Sequence, residues 1–511
     1  MPKKPATETC CLTLPLIVEK WQSDKLEKRF EIARQIYNTL VRYELQKLRR
    51  LEKSEAYTAI QDEIKRLYNE PERDKAALKT CFQQLDKLRK DALFSKYDFK
   101  TDIEPFYKHF KDNIGSKVAV HGIASQVWQA FDRLFYGNGK SVHFKKRGEI
   151  HSLQGYSAAG KSGGTEIMFR GSYIEWKALK LPIKLDASNA YEAEMLQKRV
   201  KYCRIVKREG KRKPHWYVQL MLEGKPALKC DPATGEVCHP VGKGAVGIDI
   251  GPQTIAYAAD GEAALKELAE GVQNIEWEKR LLQRKLDRSR RATNPENFAP
   301  DGTIKRGVKL SWIKSKRYLA LQRKLAFLQH EQAETRKREH TALANHLLSL
   351  GDRFYVEDME WPALTRRAKE TAISEKTGRY KRKKRFGKSV ANKAPATLIG
   401  ILNQKLLSQG YPGVNKVNTK VRASQFNHLT GEYQKKPLGQ RWNEMPDGRR
   451  IQRDMYSAFL LQHMNKAQDG FDLDALDRDY ERFIILHDHM IEQLRKTPKT
   501  LSSMGIARTA S

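Results

Sequence analysis

The spacing of apolar residues changes along the chain, and each change predicts a different kind of structure. Residues 9–18 are rich in β-forming side chains and predict one strand. Residues 21–111 predict a helical bundle, because apolar residues recur at alternating spacings of four and three, beginning with Leu26, Phe30 and Ala33. Between residues 140 and 224 the period falls to two, which predicts a small β-barrel or sandwich. Its predicted strands span residues 141–145, 166–170, 172–176, 201–207 and 215–222.

The second half of the chain predicts at least one further domain. Residues 225–243 are rich in glycine and proline and predict a linker. Beyond the linker, apolar strands are predicted at residues 244–251, 254–261 and 352–359, and an amphipathic helix is predicted from residue 453. The fold class is therefore predicted to be α+β, with several domains.

Charge narrows the classes of partner. The 511 residues include 96 Lys and Arg against 61 Asp and Glu, so the net charge of +35 favours a polyanion such as nucleic acid. No apolar run is long enough to span a membrane, and neither a signal peptide nor a membrane partner is expected. Six cysteines without a C-x-x-C pair predict reduced thiols in the cytoplasm, and the wide spacing of Cys230 and Cys238 makes zinc binding there improbable.

Three acids lie at positions where a carboxylate is expected to be buried or close to a helix end, so each requires an explanation. Asp249 interrupts an apolar strand, Glu357 ends another, and Asp454 lies in the first turn of a helix. A buried carboxylate is normally retained by pairing, hydrogen bonding or a metal, and no basic residue is adjacent to Asp249 in sequence. Asp454 alone is also explained by the helix dipole. Other acids compete with Asp454 as third ligand, namely Asp472, Asp474, Asp477 and Asp479.

We predict that Asp249, Glu357 and Asp454 are catalytic and together bind two Mg²⁺ ions, for which Mn²⁺ is a plausible substitute. Hard divalent cations prefer carboxylate oxygens. In such a pair, one ion activates water and the other stabilises the leaving oxygen.

At these acids the chain resembles a known nuclease family. The segments VGIDIG at residues 246–251, VEDM at 356–359 and RDMYSA at 453–458 resemble the three motifs of the RuvC-like nuclease in transposon-encoded TnpB proteins and related type V CRISPR effectors. The resemblance implies an RNase H-like α/β nuclease domain interrupted by basic helices, here residues 275–291 and 310–348. It also implies that the upstream parts are a helical recognition domain and a β-barrel wedge domain.

Two departures from the family pattern are visible. Tyr456 stands where the third motif usually has asparagine, and residues 420–450 lack the paired cysteines of the family's zinc ribbon, so no zinc is expected. The predicted division is a first wedge strand (1–20), a helical recognition domain (21–137), a β-barrel wedge domain (138–224) and a linker (225–243). It continues with the nuclease and its basic insertion and lid (244–422), a degenerate target-loading insert (423–450), the third-motif helix (451–470) and a C-terminal tail (471–511).

Clusters of basic residues are candidates for binding nucleic acid. Residues 275–291 carry seven Lys or Arg, and residues 365–393 carry twelve against two Glu, which predicts a basic lid over the metal site. A solvated helix face, a lysine-protected strand edge and a localisation-type basic run are the alternatives. The candidates are Lys145, Lys146, Arg147, Arg204, Lys207, Lys279, Arg280, Arg284, Lys285, Arg288, Arg291, Arg379, Lys381, Arg382, Arg385, Arg441 and Trp442.

The resemblance implies an RNA-guided DNA endonuclease whose partners are a guide RNA and target double-stranded DNA recognised beside a short motif. A monomer is favoured. Three alternatives stay open: a guided DNA-binding repressor that does not cut, an unguided structure-specific nuclease, and a transposase with an acidic triad.

Overall fold

A computed structural model describes residues 7–137, 139–155, 167–210, 213–367, 370–374, 378, 380, 386–437, 439–497 and 500–506. The chain is a mixed α/β protein, about half helical, with several sheets. It divides into two compact units, Met1–Ala227 and Leu228–Ser511, and this division falls within the predicted linker. Among the described helices, none is both long and apolar enough to cross a membrane.

The first unit combines long helices with short strands. Its helices are α1 (Lys20–Glu52), α2 (Glu55–Asn69), α3 (Lys75–Asp91), α4 (Lys96–Asp102), α5 (Glu104–Lys108), α6 (Ala124–Tyr136) and α7 (Ala190–Leu196), with a π-helical turn at Val118–Ile123. Its strands are β1 (Thr9–Pro15), β2 (Ser152–Gln154), β3 (Ile167–Phe169), β4 (Tyr173–Trp176), β5 (Leu179–Pro182), β6 (Val200–Arg208) and β7 (His215–Glu223).

These helices and strands share one core. A four-stranded sheet has the order β1-β7-β6-β2, and a three-stranded sheet has the order β3-β4-β5. Buried residues of α1, α6 and both sheets form a single cluster, because the apolar seam of α1 packs where the strands present their own buried side chains. An antiparallel bridge between Leu16 and Ile183 links the two sheets at the ends of β1 and β5, but the described strands do not confirm the predicted β-barrel.

One predicted strand is absent. Residues 141–145 form no strand. Side chains of α1 bind their backbone instead: the Asn38 amide donates to the carbonyl of Lys145 at 2.9 Å and its oxygen accepts from the Lys145 N–H at 2.8 Å. These bonds take the place of pairing with a neighbouring strand.

The second unit is built around a five-stranded sheet. Its larger elements are β8 (Ala245–Ile250), β9 (Thr254–Ala258), β10 (Ala263–Glu267), α8 (Glu276–Thr293), α9 (Lys316–Leu350), β11 (Arg353–Glu357), α10 (Trp361–Thr365), α11 (Gly387–Lys393), α12 (Pro395–Ser408), β12 (Asn415–Val417), α13 (Arg453–Gln462) and α14 (Leu473–Lys496). Its short elements are β13 (Phe426–Asn427), β14 (Glu432–Tyr433), β15 (Trp442–Glu444) and β16 (Arg450–Gln452), with 3₁₀ turns at Pro295–Asn297, Thr419–Val421, Ala423–Gln425 and Ser502–Met504.

Helices cover both faces of this sheet. The strand order is β10-β9-β8-β11-β12, in which β8 is antiparallel to β9 and parallel to β11. One face packs against α9 and α12, and the other packs against α13 and α14. Central strands buried in this way are expected to be apolar throughout, so the acid in the middle of the sheet stands out.

Candidate metal centre and nucleic-acid surface

Asp249 and Glu357 lie side by side on adjacent parallel strands. Ile248 of β8 pairs in register with Val356 of β11, so the next position along both strands brings the two acids together. Ile248 and Val356 are buried against α9 and α12. Because side chains alternate along a strand, Asp249 and Glu357 lie on the opposite face, where α13 packs.

A glycine allows α13 to approach this part of the sheet. A Cβ atom at Gly247 would lie 1.9 Å from the carbonyl oxygen of Ala458 and 2.3 Å from the backbone nitrogen of Gln462, so the helix backbone rests directly on β8. Asp454, in the first turn of α13, is thereby brought towards Asp249. The sequence predicted Asp454 as a ligand but assigned no role to Gly247. A glycine within the apolar strand, two residues before Asp249, was the sequence signal for a close helix approach.

The three acids interact electrostatically. Burial, followed by the negative charges of Asp454 and Glu357, raises the pKa of Asp249 well above its ordinary value. The positive charge of Arg453 and a hydrogen bond with the Ser457 hydroxyl oppose this rise without overcoming it. Asp249 is therefore near two other carboxylates, one from a strand and one from a helix, and the positive charge of Arg453 balances them only in part.

Glu357 shows the same imbalance. Burial raises its pKa, and a hydrogen bond from the backbone N–H of Ala423 lowers it only in part. The carboxylate also lines a cavity of about 280 Å³ together with Ile250, Trp361 and Lys416, at the carboxyl ends of the parallel strands. Ligands of open α/β sheets characteristically bind at this edge.

Asp454 makes contacts of a different kind. Its Oδ1 accepts hydrogen bonds of 3.3 Å from Nε and Nη2 of Arg453, and its Oδ2 lies 3.7 Å from Nη1 of Arg441. Within the described part of the chain, no group of three or more His, Cys, Asp or Glu side chains is placed to hold a metal ion. Carboxylate oxygens are the ligands that Mg²⁺ prefers, but coordination by all three acids would require Asp454 to exchange an arginine for the metal.

The competing acids have other partners. Asp479 is bound by Nε2 of His463 at 3.0 Å, by Arg482 at 3.2 Å and by Arg478 at 3.4 Å. Asp472 caps α14 by accepting from the N–H of Ala475. These contacts give both acids a structural explanation and leave Asp454 as the third carboxylate beside Asp249.

Tyr456 explains how the insert is held beside α13. Its hydroxyl lies 2.6 Å from Nδ1 of His428 and accepts from the N–H of the same residue at 3.1 Å. Both side chains are buried, and the ring of Tyr480 lies 4.7 Å from that of His428. The residue that replaces the expected asparagine thus fixes the insert to the helix that carries Asp454.

The insert contains two residues predicted to bind nucleic acid, Arg441 and Trp442, and their surroundings differ. Arg441 approaches Asp454, as described above. The indole N–H of Trp442 donates to the carbonyl of Gly505 at 2.8 Å, and its ring packs edge-on against His487. In this structure Trp442 therefore anchors the C-terminal segment, and its indole N–H is already used.

The basic candidates of α8 divide into paired and unpaired side chains. Lys279 binds Glu276 at 3.0 Å, and Arg291 binds Asp287 at 2.7 Å. No carboxylate within the described residues lies within 4.0 Å of the other four, which are exposed: Arg280, Arg284, Lys285 and Arg288. Their charges remain available to a polyanion.

In the first unit, the candidates differ in the same way. Lys207 is almost covered and lies 3.1 Å from Glu27 and 3.5 Å from Glu209, so its charge is balanced within the unit. Arg204 reaches the amide oxygen of Gln154 at 3.4 Å. Three further candidates follow one another on an irregular segment, where Lys145 is half-buried and the other two are exposed: Lys145, Lys146 and Arg147.

Four basic candidates of the predicted lid fall on residues that the structure does not describe: Arg379, Lys381, Arg382 and Arg385. The end of the segment is anchored at Lys393, whose ammonium is buried against Glu267 at 2.7 Å and the carbonyl of Ala269 at 3.0 Å.

Comparison with known proteins finds similarity only among solved structures. No family model matches the chain, and no curated protein matches it. The cryo-EM structure of a Cas12f1–sgRNA–target DNA complex is 12% identical, with 90% of this chain and 99% of that chain covered and a TM-score of 0.39. A CRISPR-Cas12f ternary complex is 12% identical over 87% of this chain and 85% of that chain, with a TM-score of 0.23.

A Cas12i–crRNA–double-stranded DNA complex is 10% identical over 92% of this chain and 64% of that chain, with a TM-score of 0.24. The structural neighbours are thus type V CRISPR effectors. TM-scores below 0.5 do not establish a common fold.

Proposed function

We propose that this protein is an RNA-guided DNA endonuclease of the TnpB and compact type V kind, which hydrolyses phosphodiester bonds at a two-metal RuvC-type centre. The observation that carries the proposal is the electrostatic coupling of Asp249 to Glu357 and Asp454. These residues are about one hundred positions apart in sequence and come from three elements. A buried cluster of like charges raises the free energy of the fold, and such clusters are common at functional sites.

Each acid has a definite part in this proposal. Asp249 on the central strand, Glu357 at the end of the neighbouring strand and Asp454 in the first turn of α13 would hold the two Mg²⁺ ions through their carboxylates. The bound ions supply the activation of water and the stabilisation of the leaving oxygen. Arg453 and Ser457, which already contact the acids, orient the carboxylates before the metal binds.

The nucleic-acid part of the proposal rests on charge and on the resemblance at the three motifs. The net charge of +35 and the unpaired arginines of α8 suit a phosphate backbone. The requirement for a guide comes from the motif resemblance alone. Sequence specificity would then come mainly from base pairing between guide and target.

A matched pair of variants tests the nuclease. With the guide RNA that copurifies and a matching DNA target, Asp249→Ala should reduce Mg²⁺-dependent cleavage by at least about 10³-fold. Asp479→Ala removes an acid of the same unit that is already paired, and should retain cleavage. DNA binding measured by gel shift should persist in both variants. Equal cleavage by Asp249→Ala and the wild type would disprove the metal centre.

A second candidate function is a guide-directed DNA-binding protein that does not cut. The ion pairs of Asp454 with Arg453 and Arg441 favour it, because they occupy the oxygens that a metal would need. Tight target binding without cleavage, at Mg²⁺ and Mn²⁺ concentrations that support other two-metal nucleases, would select this alternative. Sequencing of the bound RNA separates both from an unguided nuclease or transposase.

A further inference from the structure

The outer face of α8 carries one aromatic residue in line with several arginines. Trp277 is 71% exposed. Residues three, seven, eleven and fourteen positions later fall on the same helix face, and all four are exposed arginines: Arg280, Arg284, Arg288 and Arg291. The stripe thus begins with an indole ring and continues as guanidinium groups.

The opposite face of the helix holds α8 in place. Leu282 and Ser289 are buried, and the Ser289 hydroxyl lies 3.0 Å from the hydroxyl of Ser315, which caps α9. The first turn is also fixed, since Glu276 binds Lys279 at 3.0 Å and lies 3.9 Å from Lys388. The outer stripe is therefore displayed on a supported helix.

Trp277 differs from other tryptophans of the same unit. Trp312 packs against Phe298 and Arg290, and Trp442 donates a hydrogen bond. Within the described part of the chain, Trp277 has no hydrogen bond, stacked ring or cation over its face. Contact of the exposed indole ring with water is unfavourable, because the ring is largely apolar. Stacking of a planar apolar group on the ring would remove this surface from water and lower the free energy.

We propose that Trp277 is a stacking platform for an unpaired nucleobase, and that Arg280, Arg284 and Arg288 bind the phosphates of the same strand. This inference rests on the proposed nucleic-acid function. The arginines favour this occupant because no described carboxylate lies within 4.0 Å of them, whereas an apolar protein partner would desolvate three positive charges. Trp277 and Arg288 are about 16 Å apart along the helix axis, which is about the length of five stacked nucleotides.

The test uses the full-length protein and short single-stranded DNA. A twelve-residue oligonucleotide and an abasic strand of the same length supply the same phosphates with and without bases. Trp277→Ala should weaken binding of the base-bearing strand by about 5- to 100-fold and leave the abasic strand unchanged. Trp277→Tyr should recover most of the loss, because it restores an aromatic face.

Trp21→Ala is the matched control. Trp21 is also exposed, at 49%, but lies in the first unit, where Lys25 covers its ring at 4.9 Å. This variant should bind both strands as the wild type does. Photo-crosslinking with 5-bromouracil should in addition label the peptide that contains Trp277.

The outcomes separate this inference from the proposed function. The stacking site would be overturned if Trp277→Ala weakened the binding of both strands equally, or weakened the binding of neither. Crosslinks that exclude α8 would overturn it as well. None of these results would contradict guided cleavage. Failure of the wild type to bind any oligonucleotide would overturn the proposed function together with the stacking site. Burial of Trp277 by another protein would appear as an unchanged affinity for the base-bearing strand.

Discussion

Two acids near opposite ends of α13 differ in how their charge is balanced: Asp479 of α14 is partly buried near the C-terminal end, and Asp249 of β8 lies near the N-terminal end. At the C-terminal side, burial alone would raise the pKa of Asp479, but hydrogen bonds from His463 and Arg478 outweigh it and lower the pKa. At the N-terminal side, burial and two neighbouring carboxylates raise the pKa of Asp249. Basic side chains balance Asp479, whereas the two carboxylates near Asp249 outweigh the positive charge of Arg453.

This difference in charge balance suggests how an acid that stabilises the fold can be distinguished from an acid that serves chemistry. An acid that stabilises the fold is found with enough positive charge to remain ionised in the folded state. An acid that serves chemistry is kept short of positive charge, so that a cation from outside supplies what is missing. By this criterion Asp249 is the candidate functional acid and Asp479 the structural one.

The largest effect is expected when α13 is lifted from the sheet. Gly247→Ala places a methyl group 1.9 Å from the carbonyl oxygen of Ala458, so the second unit should lose at least about 3 kcal/mol of unfolding free energy, together with cleavage. Urea unfolding measures the loss. Gly400→Ala is the control, since nothing lies within 4 Å of a Cβ there and alanine is favoured in α12 by about 1 kcal/mol. Wild-type stability in Gly247→Ala would show that α13 does not rest on β8.

Replacement of Asp479 and of Asp249 by asparagine should change the free energy of unfolding in opposite directions. Asp479→Asn should lower the unfolding free energy by about 1–3 kcal/mol, because His463, Arg478 and Arg482 lose their anion. Asp249→Asn should raise it by about 1 kcal/mol in the presence of EDTA, because an uncompensated charge is removed. Thermal unfolding measures both, and two changes of the same sign would contradict the comparison.

The pH dependence of these variants follows from the direction of each pKa shift. The pKa of Asp249 is raised in the folded state, so its contribution is greatest below its unfolded pKa and is lost as the pH rises through its folded pKa. The pKa of Asp479 is lowered, so its contribution is present above its unfolded pKa and is lost as the pH falls through its folded pKa. The gain from Asp249→Asn should therefore grow with pH.

A buried acid in the first unit extends the comparison. Glu44 is fully buried, and burial raises its pKa to about 8, although Lys47 lies 2.9 Å away. Its stabilising proton is fully present below pH 4.5 and is lost as the pH rises through about 8. The melting temperature of this unit should fall by a few degrees between pH 6 and pH 9, and Glu44→Gln should flatten the fall.

Glu63→Gln is the control for that measurement. Glu63 is exposed and pairs with Arg66 at 2.6 Å on the surface of α2. Its substitution should leave the pH dependence as in the wild type. A slope that survives in Glu44→Gln would assign the pH dependence to another group.

The smallest effect concerns Arg441, the arginine beside the candidate metal centre. Arg441 lies 3.7 Å from Asp454 and is partly exposed, so the pair contributes about 0–1 kcal/mol. Arg441→Ala should tighten Mn²⁺ binding by up to about fivefold in calorimetric titration, because the ion pair between Asp454 and Arg441 no longer has to be broken. Arg450→Ala, which removes a surface pair with Glu444 and a cation over the ring of Trp442, is the control. Weaker Mn²⁺ binding in Arg441→Ala would assign Arg441 to the support of the site.

The apolar periodicity predicted much of the local structure. The hairpin of residues 201–207 and 215–222 appears as β6 and β7, and the helical pattern that begins with Leu26, Phe30 and Ala33 appears as α1. Such elements depend on local spacing, which a sequence displays directly. The strand predicted at residues 141–145 was wrong, because side chains of α1 at Arg34 and Asn38, more than one hundred residues away, bind its backbone.

For the candidate site, the sequence by itself determined which carboxylates are costly to bury: an acid within an apolar strand is visible without any contact information. Only the tertiary structure decided which acids meet, because Asp249 and Glu357 become neighbours through a parallel strand pair and Asp454 through the close approach of α13 at Gly247. It also decided which charges are balanced, since Asp479 finds its cations across two helices whereas Asp249 finds carboxylates. Balance of charge depends on distances between residues far apart in sequence, and only folding sets those distances.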